Sequence, residues 1–395
     1  MPTATQAYDG PAILSGGYRV FFFSAAVWAV FSLLIWVLFL AGVAEPVFGP
    51  LDIDMVQWHG HTLIYGYGGA VVAGFSLAAI PNWTGRPPVC GAALLTLFIP
   101  WLIARGAEVG LLLGGSLEAV RAGAELLFFA LFIGIALREI IAGKNWRNLK
   151  IIVVFSLFFF GALVTNLERL DVIALSFSGW GFGLGVLLVL ITLIGGRIIP
   201  AFTANWMRQQ GLKSVPTMFN RFDAVVVLVT VLTMGVMVAR IYDGILGSLA
   251  LVGAGLHVVR LWRWRGWHTV TSPIVAILHI SYLWVPVGFL LVGLSALGVG
   301  DIDMVSALHA WTVGGVGSTT LAVMTRATLG HSGLPLKDSG LLTTLYVAIN
   351  LAGVARVFGV LVAGHSSLLM TLAGLLWCAA FVVFLVRFGP LHWRR

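Results

Sequence analysis

Val20-Phe21-Phe22-Phe23-Ser24-Ala25-Ala26-Val27-Trp28-Ala29-Val30-Phe31-Ser32-Leu33-Leu34-Ile35-Trp36-Val37-Leu38-Phe39-Leu40 contains no charged residue. As a helix this run rises about 30 Å, the thickness of a bilayer's hydrocarbon core. A barrel strand would be about half as long and would alternate apolar with polar residues. The run is also too long for the core of a signal peptide, and no basic segment precedes it. Ala41-Gly42-Val43-Ala44 is a small-residue stretch, but an uncleaved helix is the better reading.

The rest of the chain repeats this pattern. Of 395 residues, 59% are apolar and 10% charged, with a mean hydropathy of +1.01. Soluble domains carry about 25% charged residues, so too few remain here to cover a water-facing surface. In lipid, only helices and closed barrels satisfy the backbone. The fold expected is all-α, a single polytopic transmembrane bundle over 1–395 with about twelve helices. Their approximate spans are 18–43, 57–80, 89–104, 117–141, 150–167, 172–199, 222–240, 243–259, 273–298, 302–325, 340–363 and 366–388. Cys90 and Cys378 are too few and too far apart for a disulfide framework, and read as small buried apolar residues.

Twelve helices return both termini to one side. Most of the 23 lysines and arginines then fall in one set of connections, among them Arg138, Lys144, Arg147, Lys150, Arg208, Arg221, Arg260, Arg263, Arg265, Arg394 and Arg395. Arg105, Arg121, Arg169, Arg240 and Arg356 fall on the other side, with Glu45, Asp52, Asp54, Glu108, Asp171, Asp301 and Asp303. The positive-inside rule makes the basic side, and both termini, cytoplasmic. The net charge of +8 is then explained by sidedness and the lipid bilayer, with no nucleic-acid partner. Helices two, six and ten are each glycine-rich and end in small polar residues, which hints at three four-helix units. The frequency of glycine and proline in membrane helices explains the pattern equally well.

Polar residues at membrane depth are costly and usually face the bundle interior with a partner. On this topology His59, His61, His309 and His365 lie toward the outer face, and His257, His268, His279, His331 and His392 toward the inner one. Trp58-His59-Gly60-His61 is the strongest local signal. Two residues apart in a regular helix, the histidines point roughly 200° apart. Either they serve two centres, or the turn is unwound at Gly60; an interfacial pair bonded to headgroups or water is the plainer alternative. His309 offers an imidazole at similar outer depth, a plausible haem axial ligand or part of a copper site. Gly314, Gly315 and Gly317 would admit a flat macrocycle or another helix. His279 shares a helical face with Tyr282 and precedes Pro286, and His331 sits in Gly330-His331-Ser332-Gly333; each is a ligand or only a polar hinge. His268 and His392 read as anchors in Trp- and Arg-rich interfacial segments. Arg260, Arg263 and Arg265 would meet anionic lipid or propionates, and Arg197 would neutralise a propionate or snorkel.

The sequence resembles the NnrS family, haem- and copper-containing membrane proteins of the bacterial nitric oxide response. The matching stretches are Trp58 to His61, Ile80-Pro81-Asn82-Trp83-Thr84-Gly85-Arg86-Pro87, Gly196-Arg197 to Asn205-Trp206, His279-Ile280-Ser281-Tyr282, and His309 through Arg326 to Gly333. The resemblance implies bound haem b and copper, with His59, His61, His279, His309 and His331 as metal-ligand candidates. It adds Tyr282, Arg197, Arg326, Asn82 and Trp83 as cofactor-binding candidates. It further implies a multi-pass protein of the bacterial inner membrane. The family pattern has a glutamate after the second histidine where this chain has Thr62, which would leave Thr62, Tyr65, Tyr67 or water to handle protons.

Three functions follow. In the first, nitric oxide is reduced to nitrous oxide at a site including His59, His61 and His309, with electrons from quinol or a small cytochrome. In the second, a haem or copper protein only binds nitric oxide or protects against it. In the third, the chain transports a metal or anion. A haem–copper oxidase subunit is excluded: the spans 172–199 and 222–240 hold no histidine, and 302–325 holds only His309.

Overall fold

A computed structural model describes residues 8–44, 53–174, 179–213, 215–241, 243–361 and 366–394. Glu45, Asp52 and His365 lie outside the described residues. The chain is 82% helical, and among the described residues there is no strand and there are twelve long helices, eleven of them apolar enough to cross a membrane. They are α1 Gly17–Leu40, α2 Met55–Thr84, α3 Gly91–Leu112, α4 Glu118–Ala142, α5 Leu149–Arg169 and α6 Gly179–Gln209. There follow α7 Arg221–Val238, α8 Gly244–Arg263, α9 Pro273–Ala296, α10 (304–331), α11 Gly340–Phe358 and α12 Ser366–Trp393. The protein is thus a multi-pass membrane protein.

Side-chain distribution follows from the solvent. Leu102, Leu228, Val258, Leu283 and Val386 are large, apolar and exposed, as a lipid-facing surface requires. Hydroxyls inside the bundle are satisfied by their own helices: Thr165, Thr203 and Thr230 each donate to the carbonyl four residues back, the usual solution for a hydroxyl in a membrane helix. Asp54, Asp243 and Asp303 cap α2, α8 and α10, and Asn220 with Asp223 forms a capping box on α7, satisfying amides that start a helix without a partner. At the far end of α2, Gly85 takes φ +69° and returns its amide to Pro81, so Pro81-Asn82-Trp83-Thr84-Gly85 is a helix stop.

Two departures from regular helix adjoin candidate histidines. Thr62–Tyr67 in α2 and Ala310–Gly317 in α10 are π-helical, and each begins directly after a histidine, His61 or His309. α6 is continuous from Gly179 to Gln209, so helices two and ten share a feature that helix six lacks. The wide turns are a sequence consequence: Gly66, Gly314, Gly315 and Gly317 fall within them. Single π turns inside α-helices occur often at functional sites.

The chain gathers into two compact units: Met1–Leu175 with Met324–Pro335 and Phe381–Arg395, and Ser176–Val323 with Leu336–Ala380. In the first, α1 and α4 pack on α2, and α3 and α5 on α4. In the second, α7 packs between α6 and α8, and α9 contacts α8 and the π segment of α10.

Candidate functional site

In the first unit the WHGH turn is regular helix through Gly60 and His61, so the unwound alternative is not realised and the two histidines diverge. His59 stacks on Trp36 of α1, ring centroids 4.2 Å apart and 18° between planes. His61 is fully buried and enters a dense set of charges. Its Nδ1 lies 3.4 Å from Glu108 of α3, and its Nε2 2.8 Å from Glu125 of α4. Arg121 Nη1 also approaches Nε2, at 3.1 Å. Around this core Arg105 binds Glu108 at 3.0 Å and Glu125 at 2.5 Å. Arg121 pairs with Glu118 and donates to Asn166 Oδ1 at 2.8 Å. Asn166 in turn donates to Glu125 at 3.0 Å, and Arg169 reaches Glu118 at 2.9 Å.

The charges balance. Arg105, Arg121 and Arg169 face Glu108, Glu118 and Glu125, with His61 between them. A buried charge is tolerated only when paired and hydrogen-bonded, and here each carboxylate meets at least one guanidinium. Glu118 is the carboxylate with an opening outward: its side chain is 24% exposed, against 2% or less for Glu108 and Glu125. At His61 Nε2 the neighbours make opposite demands. Glu125 can only accept from it, whereas Arg121 can only donate to it. Nε2 therefore faces one acceptor and one donor, and either tautomer satisfies only one of them.

The π turn positions this cluster. Thr62 accepts from Trp28 Nε1 at 2.9 Å and donates to Glu108 Oε2 at 3.0 Å. Trp101 Nε1 donates to the Gly66 carbonyl at 3.0 Å. A side chain at Gly66 would collide with Arg105 and Trp28, so the glycine makes room for the guanidinium.

Sequence reasoning assigned Arg105, Glu108 and Arg121 to the outer connections as sidedness markers. α3 instead runs past the expected end at 104 to Leu112 and carries Arg105 and Glu108 inside. The signal that could have found them was spacing. Arg105 and Glu108 are three apart, and Glu118, Arg121 and Glu125 are three and four apart, which gathers each set on one helical face.

In the second unit a smaller polar group forms among α6, α7, α8 and α9. Thr230 spends its proton on Val226, so His257 Nε2, at 3.1 Å, donates to it. His257 Nδ1 then accepts from Tyr282 at 2.9 Å, and Tyr282 accepts from Arg260 at 2.8 Å. Arg260 is fully buried, binds Asp223 at 2.7 Å and donates to the Thr192 carbonyl at 2.8 Å. Gly196 leaves the space, since a Cβ there would strike the guanidinium. The expectation that Arg260 meets lipid or a propionate is corrected: its partner is a carboxylate inside the helix group. His257, expected toward the inner face, is fully buried with both ring nitrogens hydrogen-bonded.

His279 and His309 differ from His257. Thr203 spends its proton on Ile199, so His279 Nε2 donates to it at 2.8 Å. This leaves Nδ1 with the lone pair, buried and without a hydrogen-bond partner. His309 Nδ1 donates to the Val305 carbonyl at 2.7 Å, which makes Nε2 the basic nitrogen. An imidazole fixed by one N–H to a carbonyl or hydroxyl, with the lone pair on the other nitrogen, is the form that ligates metals. Both residues fit an imidazole-ligated metal; His61, with both nitrogens engaged, does not. Among the described residues no three His, Cys, Asp or Glu side chains surround a common metal position.

The remaining candidates are more peripheral. Gly314 and Gly317 admit indoles, a Cβ colliding with Trp284 and Trp377 respectively. Arg197 is exposed and lies over the Phe219 ring, 5.4 Å from its centroid. Asn82 is exposed, and the Trp83 carbonyl accepts from Asn145. Arg326 is buried. His331, at the end of α10, is exposed and stacks on Tyr18, centroids 5.0 Å apart. No curated protein matches the chain. The family described as NnrS protein matches residues 12–395, nearly the whole length, and the chain belongs to the NnrS family.

Proposed function

We propose that this protein binds nitric oxide and reduces it to nitrous oxide in the bacterial inner membrane. Family membership supports a membrane protein of the nitric oxide response in a haem- and copper-associated family. The reaction joins two nitric oxide molecules with two electrons and two protons, forms an N–N bond, breaks one N–O bond and releases water. Electrons come from quinol or a small cytochrome. Haem b and copper, when bound, supply electron transfer and a Lewis-acidic hold on nitric oxide. His279 is the residue best prepared to hold them, because its buried Nδ1 keeps a lone pair, and His309, with Nδ1 tied to Val305, would ligate through Nε2.

The single observation that carries the reading is the buried network of carboxylates, guanidinia and an imidazole on α2, α3, α4 and α5. A redox step inside a membrane needs a proton source that does not admit bulk water. Glu118 is partly exposed, Arg121 and Asn166 link it by hydrogen bonds to Glu125, and Glu125 lies 2.8 Å from His61 Nε2, the carboxylate–imidazole pair that would exchange a proton. Glu108 and Thr62 fix the other nitrogen side. A protein that merely stored nitric oxide would have no need of this arrangement.

The test is nitric oxide consumption by the purified protein with an artificial reductant, with nitrous oxide measured in the headspace. One nitrous oxide per two nitric oxide consumed, slowed at least tenfold in Glu125→Gln with the optical spectrum unchanged, is the expected result. A spectrum that shifts with nitric oxide without consumption would sink reduction and leave a binding or protective protein.

A further inference from the structure

A groove of about 290 Å³ runs between α1 and α3 of the first unit. Trp28, Trp101 and Arg105 form its floor, and Val27 and Leu102 its rim. The rim residues are 44% and 52% exposed and belong to helices that span the membrane, so the mouth opens into lipid and not into water. The floor residues are buried. Each indole spends its N–H inward, Trp28 on Thr62 and Trp101 on the Gly66 carbonyl. What they offer the groove is their apolar rings.

A charged group stands between those rings. The Arg105 guanidinium lies 5.4 Å from the Trp28 centroid and 5.9 Å from that of Trp101. Its Nη1 and Nη2 face Glu108 and Glu125. Its Nε–H is buried and has no acceptor, a rare condition for a buried donor and one that an oxygen atom would relieve. The wall beside it is open: Gly106 lines the groove, is exposed, and has nothing within 4 Å of a Cβ placed on it. Aromatic walls around a single polar group, between the helices of a bundle, are the make-up of a small-molecule site.

We propose that this groove binds the ring of a membrane quinol. The occupant must dissolve in hydrocarbon to reach the mouth, be flat and aromatic to lie against two indoles, and carry an oxygen to accept from Arg105 Nε. A quinol meets all three demands, and its isoprenoid tail stays in the lipid. An acyl chain meets only the first, and a water-soluble cytochrome cannot reach the mouth. The inference rests on the nitric oxide reduction proposed above and selects its electron donor. A quinol oxidised to quinone gives up two electrons and two protons, the number consumed when two nitric oxide molecules become nitrous oxide and water. Glu108 and Glu125, the carboxylates that Arg105 binds, stand behind the floor, so those protons are released beside the His61 network.

The test is photolabelling of the purified full-length protein in lipid nanodiscs with a short-chain azidobenzoquinone, the labelled residues being mapped by mass spectrometry. Wild type is expected to carry the label within 23–28 and 101–109, removed by excess unlabelled short-chain quinone and unaffected by added phospholipid. Gly106→Phe fills open space, so it should keep the unfolding temperature and lose labelling by about tenfold or more. Val258→Phe, at an exposed position on α8, is the control and should label like wild type. Label elsewhere on the chain, label removed by phospholipid alone, or undiminished label in Gly106→Phe each overturns the site, and the first two need no variant. Quinone bound here by a protein that consumes no nitric oxide defeats the reading of function and leaves the site standing. Nitric oxide consumed with an artificial reductant, without label in the groove, does the reverse.

Discussion

Thr62 donates its hydroxyl to Glu108 Oε2 across 3.0 Å, from the residue after His61 in α2 to a carboxylate on α3. The resemblance implies a glutamate where Thr62 stands. Here the carboxylate arrives from a neighbouring helix at the same spot, and the threonine orients it.

Exchanging these residues tests that equivalence. Thr62→Glu adds an anion to a balanced cluster, and Glu108→Gln leaves a guanidinium underpaired; each is expected to cost about 3–5 kcal/mol. The double variant restores the charge count, so it should recover most of that loss. Thermal unfolding of all four proteins in detergent measures the coupling. Purely additive losses would show that the two positions do not share one carboxylate site.

The π turn gives a second contrast on the same helix. Nothing lies within 4 Å of a Cβ placed at Gly60, whereas at Gly66 it would strike Arg105 and Trp28. Gly60→Ala should be neutral or stabilise by up to about 1 kcal/mol through helix propensity. Gly66→Ala should destabilise by about 1–3 kcal/mol through overpacking and displace Arg105. Unfolding midpoints of the two variants decide it; equal effects would mean the guanidinium does not need the glycine.

The bundle was legible because lipid imposes long apolar runs, and Val20 to Leu40 alone fixes the fold class. The polar interior was harder to read. Charges within a helix look the same in sequence whether they cap its end or lie inside it, and Arg105 and Glu108 sit where hydropathy falls near the end of a short apolar run. Only tertiary packing reveals that α3 and α4 aim their charges at His61. The tautomers of His257, His279 and His309 were illegible for a related reason: each depends on where a neighbouring hydroxyl or carbonyl places its own hydrogen bond. His392 misled because a terminal Trp-Arg-Arg context suggests an interface, yet it is fully buried, and the Arg19 guanidinium that binds the Leu391 and Arg394 carbonyls comes from the other end of the chain.

The Arg260–Asp223 pair in the second unit carries a different expectation. Both side chains are 2% exposed or less, and Arg260 also supports Tyr282 and hence His257. Arg260→Ala leaves the buried carboxylate with only the more distant Arg263, 3.6 Å away, and should cost up to about 3–5 kcal/mol. Asp223→Asn with Arg260→Met removes both charges and should be nearer to wild type. Chemical unfolding of the single and double variants provides the comparison, and equal losses in both would show that the pair itself adds stability beyond charge compensation.

His309 and His257 separate a ligand from a structural imidazole. His309 Nδ1–H is tied to Val305, which leaves Nε2 as the nitrogen for a metal, whereas His257 has both nitrogens spent on Thr230 and Tyr282. His309→Ala should therefore remove a haem or copper signal with little loss of stability. His257→Ala should leave that signal intact, while costing about 1–3 kcal/mol because Tyr282 loses a buried acceptor. Optical spectra, metal content and unfolding curves on the two variants together make the distinction. Metal lost from His257→Ala and retained in His309→Ala would reverse the assignment, and with it the rule that the hydrogen bond on one ring nitrogen marks the other as the ligand.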